Sequence, residues 1–351
     1  MKVIFFTQSA LGGAERMSIL YAKILSKEHE VILHSFGSLN VLEPFCENKF
    51  VLRFHKGNSA LDGFLSSVRR IVKSEKPDVI FCSLMPLNWR VALATFGLKT
   101  RIIFRSDNYI ETQSLLSKIR LAIAYRKAKY IIAQTEEMRI GIIDKLFIKA
   151  SKVVTIQNPL DKEYIDNKLK EKSPYPNNVY IKYLAVGRIT SEKGFDLLIE
   201  AFSNVLKHNP NSELYIVGDT NYNSVYYKSL LRLIDEKRLR NVVHFVGLTD
   251  NPYTYMKYAD VFVLSSRIEG LPNVLIEALY CGTPSAAFKC IPVIERIVEE
   301  GKTGYLATKE NIKELSEAMI RASELKKIQT SYDFETESFI IKLFTNLNQE
   351  L

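Results

Sequence analysis

Cysteine is scarce, with four in 351 residues. Cys46, Cys82, Cys281 and Cys290 fall in no paired ligand spacing, and the five histidines form no helical pair, so neither a disulfide framework nor a structural zinc site is indicated. No run of about 18 apolar residues is present to span a bilayer. No secretory leader is expected either, since Met1 runs straight into the strand-like KVIFFT without an apolar h-region or a small-residue cleavage site. These absences lead to the expectation of a cytoplasmic protein with reduced core thiols. Low-complexity segments are lacking as well, so nothing argues for disorder.

What is present is the composition of packed cores, 47% hydrophobic with 11% aromatic, at a length that suits about two domains. Charge divides unevenly: up to Leu160 there are 24 basic residues against 13 acidic, and beyond it 24 against 26. A basic half asks for an anionic partner, for which nucleic acid, an acidic membrane surface and a phosphorylated substrate all qualify. Nucleic acid is not expected, because no reading motif accompanies a charge excess confined to one half. The stretch SKIRLAIAYRKAKY, from Ser117 to Tyr130, interleaves cations with Ile119, Leu121, Ile123 and Tyr125, as a helix lying on an anionic membrane would. A solvated basic helix packed on a sheet gives the same pattern, and both readings stay open.

Alternation of short apolar runs with amphipathic segments predicts parallel sheets covered by helices. KVIFFTQ, HEVILHSF, KPDVIFCSL, RIIFRSD and AKYIIAQT read as strands of one series. IKYLAVGRIT, ELYIVGD, VVHFVGL, DVFVLSS and PSAAFK form a second. Between them the chain turns polar and carries Pro159, Pro174 and Pro176, which sets the expected domains at 1–165 and 166–333. A last helix in 334–351 is expected to cross back onto the first domain. Ligands of open α/β sheets bind outside the carboxyl ends of the strands, so the loops that follow strands carry the chemistry, with the crevice expected between the two domains.

Three such loops stand out. QSALGGAER places Gly12 and Gly13 before a helix start at Ala14, which suits close backbone approach and an anion, though a Gly-Gly turn is more often only a turn. It is not a dinucleotide fingerprint, since G-x-G-x-x-G and the acid after the second strand are both missing, and a nicotinamide-dependent dehydrogenase is disfavoured. AVGRITSEKGFDLL offers Gly187 and Gly194 around Arg188 and Lys193, two cations that suit a diphosphate; alternatively Lys193 pairs with Glu192. RIEGLPNVLIEALYCGTP places Glu269 before a helix beginning at about Pro272 and Glu277 inside it. The N–H groups of Gly270, Leu271 and Asn273 would face an anion there, with Asn273 and Glu277 on one side of the helix. Two carboxylates also suit hydrolysis of a glycosidic bond, but cations and a helix dipole beside them favour a diphosphate, with the acids binding neutral hydroxyls.

GGAER, VGRITSEKGFDLLIEAF, EGLPNVLIEALYCGTP with its Glu, seven residues, Glu spacing, and GKTGYLAT together resemble the family 4 retaining glycosyltransferases of GT-B fold. The resemblance covers most of the chain. It implies an α/β protein of two doubly wound Rossmann-like parallel-sheet domains facing across a cleft. It also implies transfer of a sugar from a nucleotide-sugar donor to an acceptor hydroxyl with retained anomeric configuration. Beyond the resemblance, a UDP-sugar donor and a saccharide or lipid-linked acceptor are expected, in assembly of a bacterial surface polysaccharide or lipopolysaccharide with the basic half near an anionic membrane. By the resemblance Arg188 and Lys193 would neutralise the leaving diphosphate, with backbone N–H groups from Gly270 to Val274 helping. Glu269 would hold the sugar and Glu277 the ribose, while Gly13, Gly187, Leu248 and Thr249 would border the donor. Where many members carry a histidine, this chain has Arg105, Ser106, Asp107 and Asn108, of which Arg105, Asp107 and Asn108 become acceptor-side candidates. No D-x-D occurs, so no metal or other cofactor is expected. A GT-B epimerase of nucleotide-sugars and a catalytically silent nucleotide-sugar-binding subunit are the alternatives.

Overall fold

The computed structural model describes residues 1–10, 12–46, 49–57, 63–176, 179–330 and 336–349. It divides into two compact units, Met1–Leu160 with the C-terminal helix, and Asp161–Tyr332.

Among the described residues the first unit is a seven-stranded parallel sheet of order β3-β2-β1-β4-β5-β6-β7. Its strands are β1 Lys2–Gln8, β2 Glu30–Gly37, β3 Val51–Lys56, β4 Val79–Cys82, β5 Arg101–Arg105, β6 Tyr130–Ala133 and β7 Val153–Thr155. Helices α1 Gly13–Leu25, α2 Phe64–Glu75, α3 Met85–Ala94, α4 Leu115–Lys127 and α5 Glu136–Leu146 make the crossovers. Because strand side chains alternate between faces, Ile4 and Phe6 pack under α2 to α5 while Val3 and Phe5 pack under α1. The C-terminal helix joins that second face: its Ile340, Phe344 and Leu347 are fully buried with Tyr21 and Phe81, and the Arg101 guanidinium donates to the Leu347 carbonyl at 2.9 Å. Three such side chains contribute about 1.5–3 kcal/mol each on burial, which is ample to hold a single helix in place. Residues 334, 335, 350 and 351 of the segment expected there lie outside the described residues.

The second unit opens with α6 Lys162–Lys168 and holds a six-stranded parallel sheet of order β10-β9-β8-β11-β12-β13. The strands are β8 Ile181–Val186, β9 Ser212–Val217, β10 Val243–Gly247, β11 Val261–Leu264, β12 Ser285–Phe288 and β13 Gly304–Ala307. Helices α7 Phe195–His208, α8 Val225–Glu236, α9 Pro252–Tyr258, α10 Asn273–Tyr280, α11 Ile294–Ile297 and α12 Ile312–Ser323 cover it, and the C-terminal helix is α13 Glu337–Gln349. The division at Leu160 falls slightly before the expected 165. Asn251 Nδ2 donates to the Lys168 carbonyl at 3.0 Å, Lys257 Nζ to that of Leu169 at 2.7 Å, and the Tyr280 hydroxyl to Asp166 at 3.0 Å. These bonds bind α6 to the second unit.

Strands β3, β7 and β13 were not expected from the sequence. All three are sheet edges. A strand covered on one side only has no need of a continuous apolar run, and VLRFHK shows none.

His34, on β2, is 1% exposed beside Phe6, with its ring stacked on His55, itself stacked on Phe36, and the two histidine ring nitrogens 2.8 Å apart. Glu75 lies 3.5 Å from it but is engaged by Lys2 and Arg53. Burial first, then the charges of His55, Arg53 and Lys2, push the His34 pKa down to about 3. Between the ordinary histidine value and 3 the unfolded chain binds a proton that the fold refuses, so stability falls as pH drops below about 6.5. By pH 5 the loss attributable to His34 should reach about 2 kcal/mol. Urea unfolding at pH 7.5 and 5 should show this loss in the wild type and a smaller one in His34→Gln.

Candidate functional site

In the second unit the sheet order reverses between β8 and β11, so a ligand crevice lies outside their carboxyl ends. The loops that follow these two strands are stitched together along their backbones. Gly194 ends a short 3₁₀ turn, Ser191–Lys193, at φ +65°, and a Cβ there would stand 2.1 Å from the Ser265 carbonyl oxygen. Only glycine combines that torsion with that approach. Ser265 Oγ donates to the Lys193 carbonyl at 2.9 Å, and the Arg267 N–H donates to the Glu192 carbonyl at 2.8 Å. The Arg267 guanidinium then forks onto Asp196, at 2.8 and 2.6 Å, and reaches the Ser191 carbonyl at 2.8 Å. The hydrogen bonds it donates to Asp196 hold Arg267 above its ordinary pKa, so this cation stays charged and committed to the loops.

That stitching brings Lys193 to Glu269. Lys193 Nζ lies 2.6 Å from Glu269 Oε1, and Ser266 Oγ donates to the same oxygen at 2.6 Å. Glu269 is 9% exposed, and the aliphatic part of Lys193 runs past Gly187. The alternative pairing of Lys193 with Glu192 is therefore not the one formed, and Glu192 faces solvent. Arg188 is exposed and has no ion pair among the described residues. One cation of the expected pair is thus fixed by a carboxylate, and the other is open to an incoming anion. Cys290, after β12, lies beside Glu269; burial first, and then the Glu269 charge, push its thiol up to about 12, which leaves it protonated and unreactive.

Helix α10 starts at Asn273, with Pro272 at the N-cap. The Asn273 N–H, expected to face an anion, instead donates to the Leu271 carbonyl at 2.9 Å, because the chain turns tightly at Pro272. Leu271 is buried and Gly270 half-buried. Val274 lies in the first turn, where N–H groups have no acceptor within the helix. Leu275, Ile276, Ala278 and Leu279 are buried, and Asn273, Val274 and Glu277 lie half-buried on the other side, as the spacing predicts. After β10, Leu248 is exposed, and Thr249 Oγ1 accepts the Asn251 N–H at 3.2 Å.

In the first unit the order reverses between β1 and β4. Gly12 caps α1, which begins at Gly13 rather than Ala14, and a Cβ on Gly13 would meet nothing within 4 Å. Arg105 departs from its expected role as an acceptor-side group. It is 1% exposed, bonds Asn158, and lies beside the buried Tyr21 hydroxyl without an aligned hydrogen bond to it. Asn158 Nδ2 donates to Gln134 at 3.0 Å and Gln134 Nε2 to the Ser106 carbonyl at 2.9 Å, so these polar groups tie strand ends together. Asp107 accepts the Met85 N–H at 3.0 Å; burial raises its pKa above the usual carboxylate value, opposed in part by that bond and by Arg105. Asn108 is half-buried and accepts its neighbour's N–H from Tyr109 at 2.8 Å.

A family model described as Glycosyl transferases group 1 matches residues 166–336, and one described as Glycosyltransferase Family 4 matches residues 11–164. An uncharacterized glycosyltransferase of Haemophilus influenzae is 27% identical over 90% of this chain and 88% of its own length. The N-acetylgalactosamine-N,N'-diacetylbacillosaminyl-diphospho-undecaprenol 4-alpha-N-acetylgalactosaminyltransferase of Campylobacter jejuni is 28% identical over 79% of this chain and 78% of its own. The crystal structure of Anabaena Alr3699/HepE in complex with UDP superposes with a TM-score of 0.79 at 21% identity, covering 100% of both chains. That likeness establishes the GT-B fold.

The loop stitching makes its own prediction. Gly194→Ala should lower the stability of the second unit by at least about 2 kcal/mol through combined torsional strain and clash. Gly13→Ala should leave stability nearly unchanged, and thermal melts of the two variants decide the matter.

Proposed function

We propose that this chain, which belongs to the group 1 glycosyl transferases, moves a sugar from a UDP-sugar to a hydroxyl of a saccharide or lipid-linked acceptor, with retention at the anomeric carbon. Assembly of a bacterial surface polysaccharide or lipopolysaccharide at the cytoplasmic side of the membrane is the setting this reading gives it. The Lys193–Glu269–Ser266 junction, beside the unpaired Arg188, is the observation that carries the proposal. A name that specifies transfer onto a diphospho-undecaprenol saccharide, in the Campylobacter relative, supports a lipid-linked acceptor.

In the proposed reaction the bond from the anomeric carbon to the diphosphate breaks, and its electron pair leaves with the phosphate oxygen. A bond to the acceptor oxygen forms, and the acceptor's proton passes to the departing phosphate. Negative charge grows on the diphosphate during this step, and positioned cations accelerate a reaction most where charge develops. Arg188 is free to fork onto the phosphates. Lys193 is held at fixed position by Glu269, so it need not reorganise when charge appears. Both donors to Glu269 reach Oε1, which supports a role for Oε2 in accepting a hydroxyl of the transferred sugar. Glu277, on the outer side of α10, takes the ribose, and the Leu248–Thr249 segment borders the base. With cations supplied by the protein, the reaction asks for no metal.

Purified protein supplied with UDP-sugars and lipid-linked or saccharide acceptors should release UDP, and a chelator should leave the rate unchanged. Glu269→Ala should lower kcat by about 10²–10³-fold while the circular dichroism spectrum stays native. Failure to release UDP from any common UDP-sugar would defeat the proposal. A new sugar nucleotide formed from donor alone would replace it with epimerisation.

A further inference from the structure

The outward side of α4 is apolar where a helix laid on a sheet is ordinarily polar. Leu121, Ala124 and Tyr125 are its buried side, yet Leu115, Leu116, Ile119 and Ile123 on the other side are each at least half exposed. Lys127 Nζ donates to the Ala92 carbonyl at 3.2 Å and to Thr95 Oγ1 at 2.9 Å, which brings the end of α3, with Leu93 and Phe96 at 52% and 75% exposure, beside the end of α4. The helix is 13 residues long, a row of roughly 20 Å. From Thr112 to Thr135 the chain has no acid and five cations.

Two of the neighbouring cations share one ring. Arg120 stands 4.8 Å and Arg90 5.5 Å from the centre of the half-buried Trp89, and neither has an ion pair among the described residues. Burial, and then the Arg120 charge, lower the Arg90 pKa. Beyond Phe96, Leu98 lines a groove of about 470 Å³ with Lys73, Lys76, Lys99 and Arg101 around it; its one acid, Asp78, accepts the Lys2 N–H at 2.7 Å.

We propose that this face of the first unit docks on an anionic lipid bilayer, with the outward row of α4 and Phe96 among the acyl chains and a lipid phosphate in the Lys73–Lys99 groove. Apolar side chains beside an excess of cations over acids are what such a surface rewards together. A second copy of the chain fits poorly, because pairing α4 with itself sets Arg120 and Arg126 against their own images. Free phosphate accounts for the groove and leaves the apolar row unexplained. No helix among the described residues is long and apolar enough to cross a membrane, so the contact is one of surface. The inference stands apart from the transfer reaction, since vesicle binding requires no donor.

Co-sedimentation of the full chain with vesicles of phosphatidylcholine, alone or mixed with phosphatidylglycerol, tests it. Binding should require the anionic lipid and weaken with salt. Ile119→Asp with Ile123→Asp, and separately Lys73→Glu with Lys99→Glu, should each reduce binding by about ten-fold or more. Both should keep the wild-type melting temperature, and transfer to a water-soluble acceptor should match the wild type. Equal binding to neutral vesicles overturns the proposal, as does wild-type binding by either folded variant. So does stabilisation by inorganic phosphate with no vesicle binding, or a solution dimer that the isoleucine variant splits.

Discussion

Parallel strands cannot be joined by tight turns, and every other feature of this chain follows from that constraint. Each strand must return through a crossover on one face of the sheet, so all loops that follow strands gather at one edge. Where crossovers begin to use the opposite face, two neighbouring strands send their loops apart and a crevice opens between them. In the second unit those strands are β8 and β11. The chain then draws their loops back together at a chosen height, using Gly194 against the Ser265 carbonyl and Arg267 on Asp196. The meeting of Lys193 with Glu269 is the result of this backbone arrangement rather than its cause.

The order of cause matters for the energetics of the pair. An ammonium and a carboxylate brought together at an exposed surface contribute little to stability, and they lose their side-chain freedom in meeting. Glu269, however, is nearly buried, and removal of Lys193 would leave its charge with Ser266 alone. The pair is therefore an arrangement that resists change of either member. It keeps a cation stationary at the end of β8 without neutralising the neighbouring Arg188, which remains in solvent. A site meant only for stability would have paired both.

Much of this could be read in the sequence, and what could not has physical reasons. Central strands such as KVIFFT and DVFVLSS are buried on both faces and announce themselves as unbroken apolar runs. The edges β3, β7 and β13 are short or half polar and do not. Glycines 187 and 194 and the Glu269–Glu277 spacing marked the site, because backbone approach and helix spacing leave local traces. The Lys193–Glu269 bond spans 76 positions, while Glu192 lay adjacent as a rival; only the folded loops could decide between them. Ser266 and Asp196 carry no signature at all, being ordinary polar residues until the fold sets them beside a charge. Arg105 misled for the opposite reason, since a cation at a strand end reads as exposed unless its buried partners Asn158 and Tyr21 are known to surround it.

The two units answer the same topology with opposite uses of charge. At the carboxyl ends of β5 to β7 in the first unit, a guanidinium is withdrawn from water and bound into a chain of side-chain amides that ends on a backbone carbonyl. Several of its N–H groups lack aligned partners, a costly condition that rigid surroundings must sustain. At the carboxyl end of β8 in the second unit, a guanidinium is left in the open. A buried, committed cation braces strand ends and is withheld from direct contact with an incoming anion. An open one beside a fixed ammonium does attract it. On the proposed reading diphosphate affinity resides in the second unit, and the excess positive charge of the first serves another surface. Cations without an ion pair among the described residues lie instead at Trp89, where Arg90 of α3 meets Arg120 of α4, and in the groove of Lys73 and Lys99.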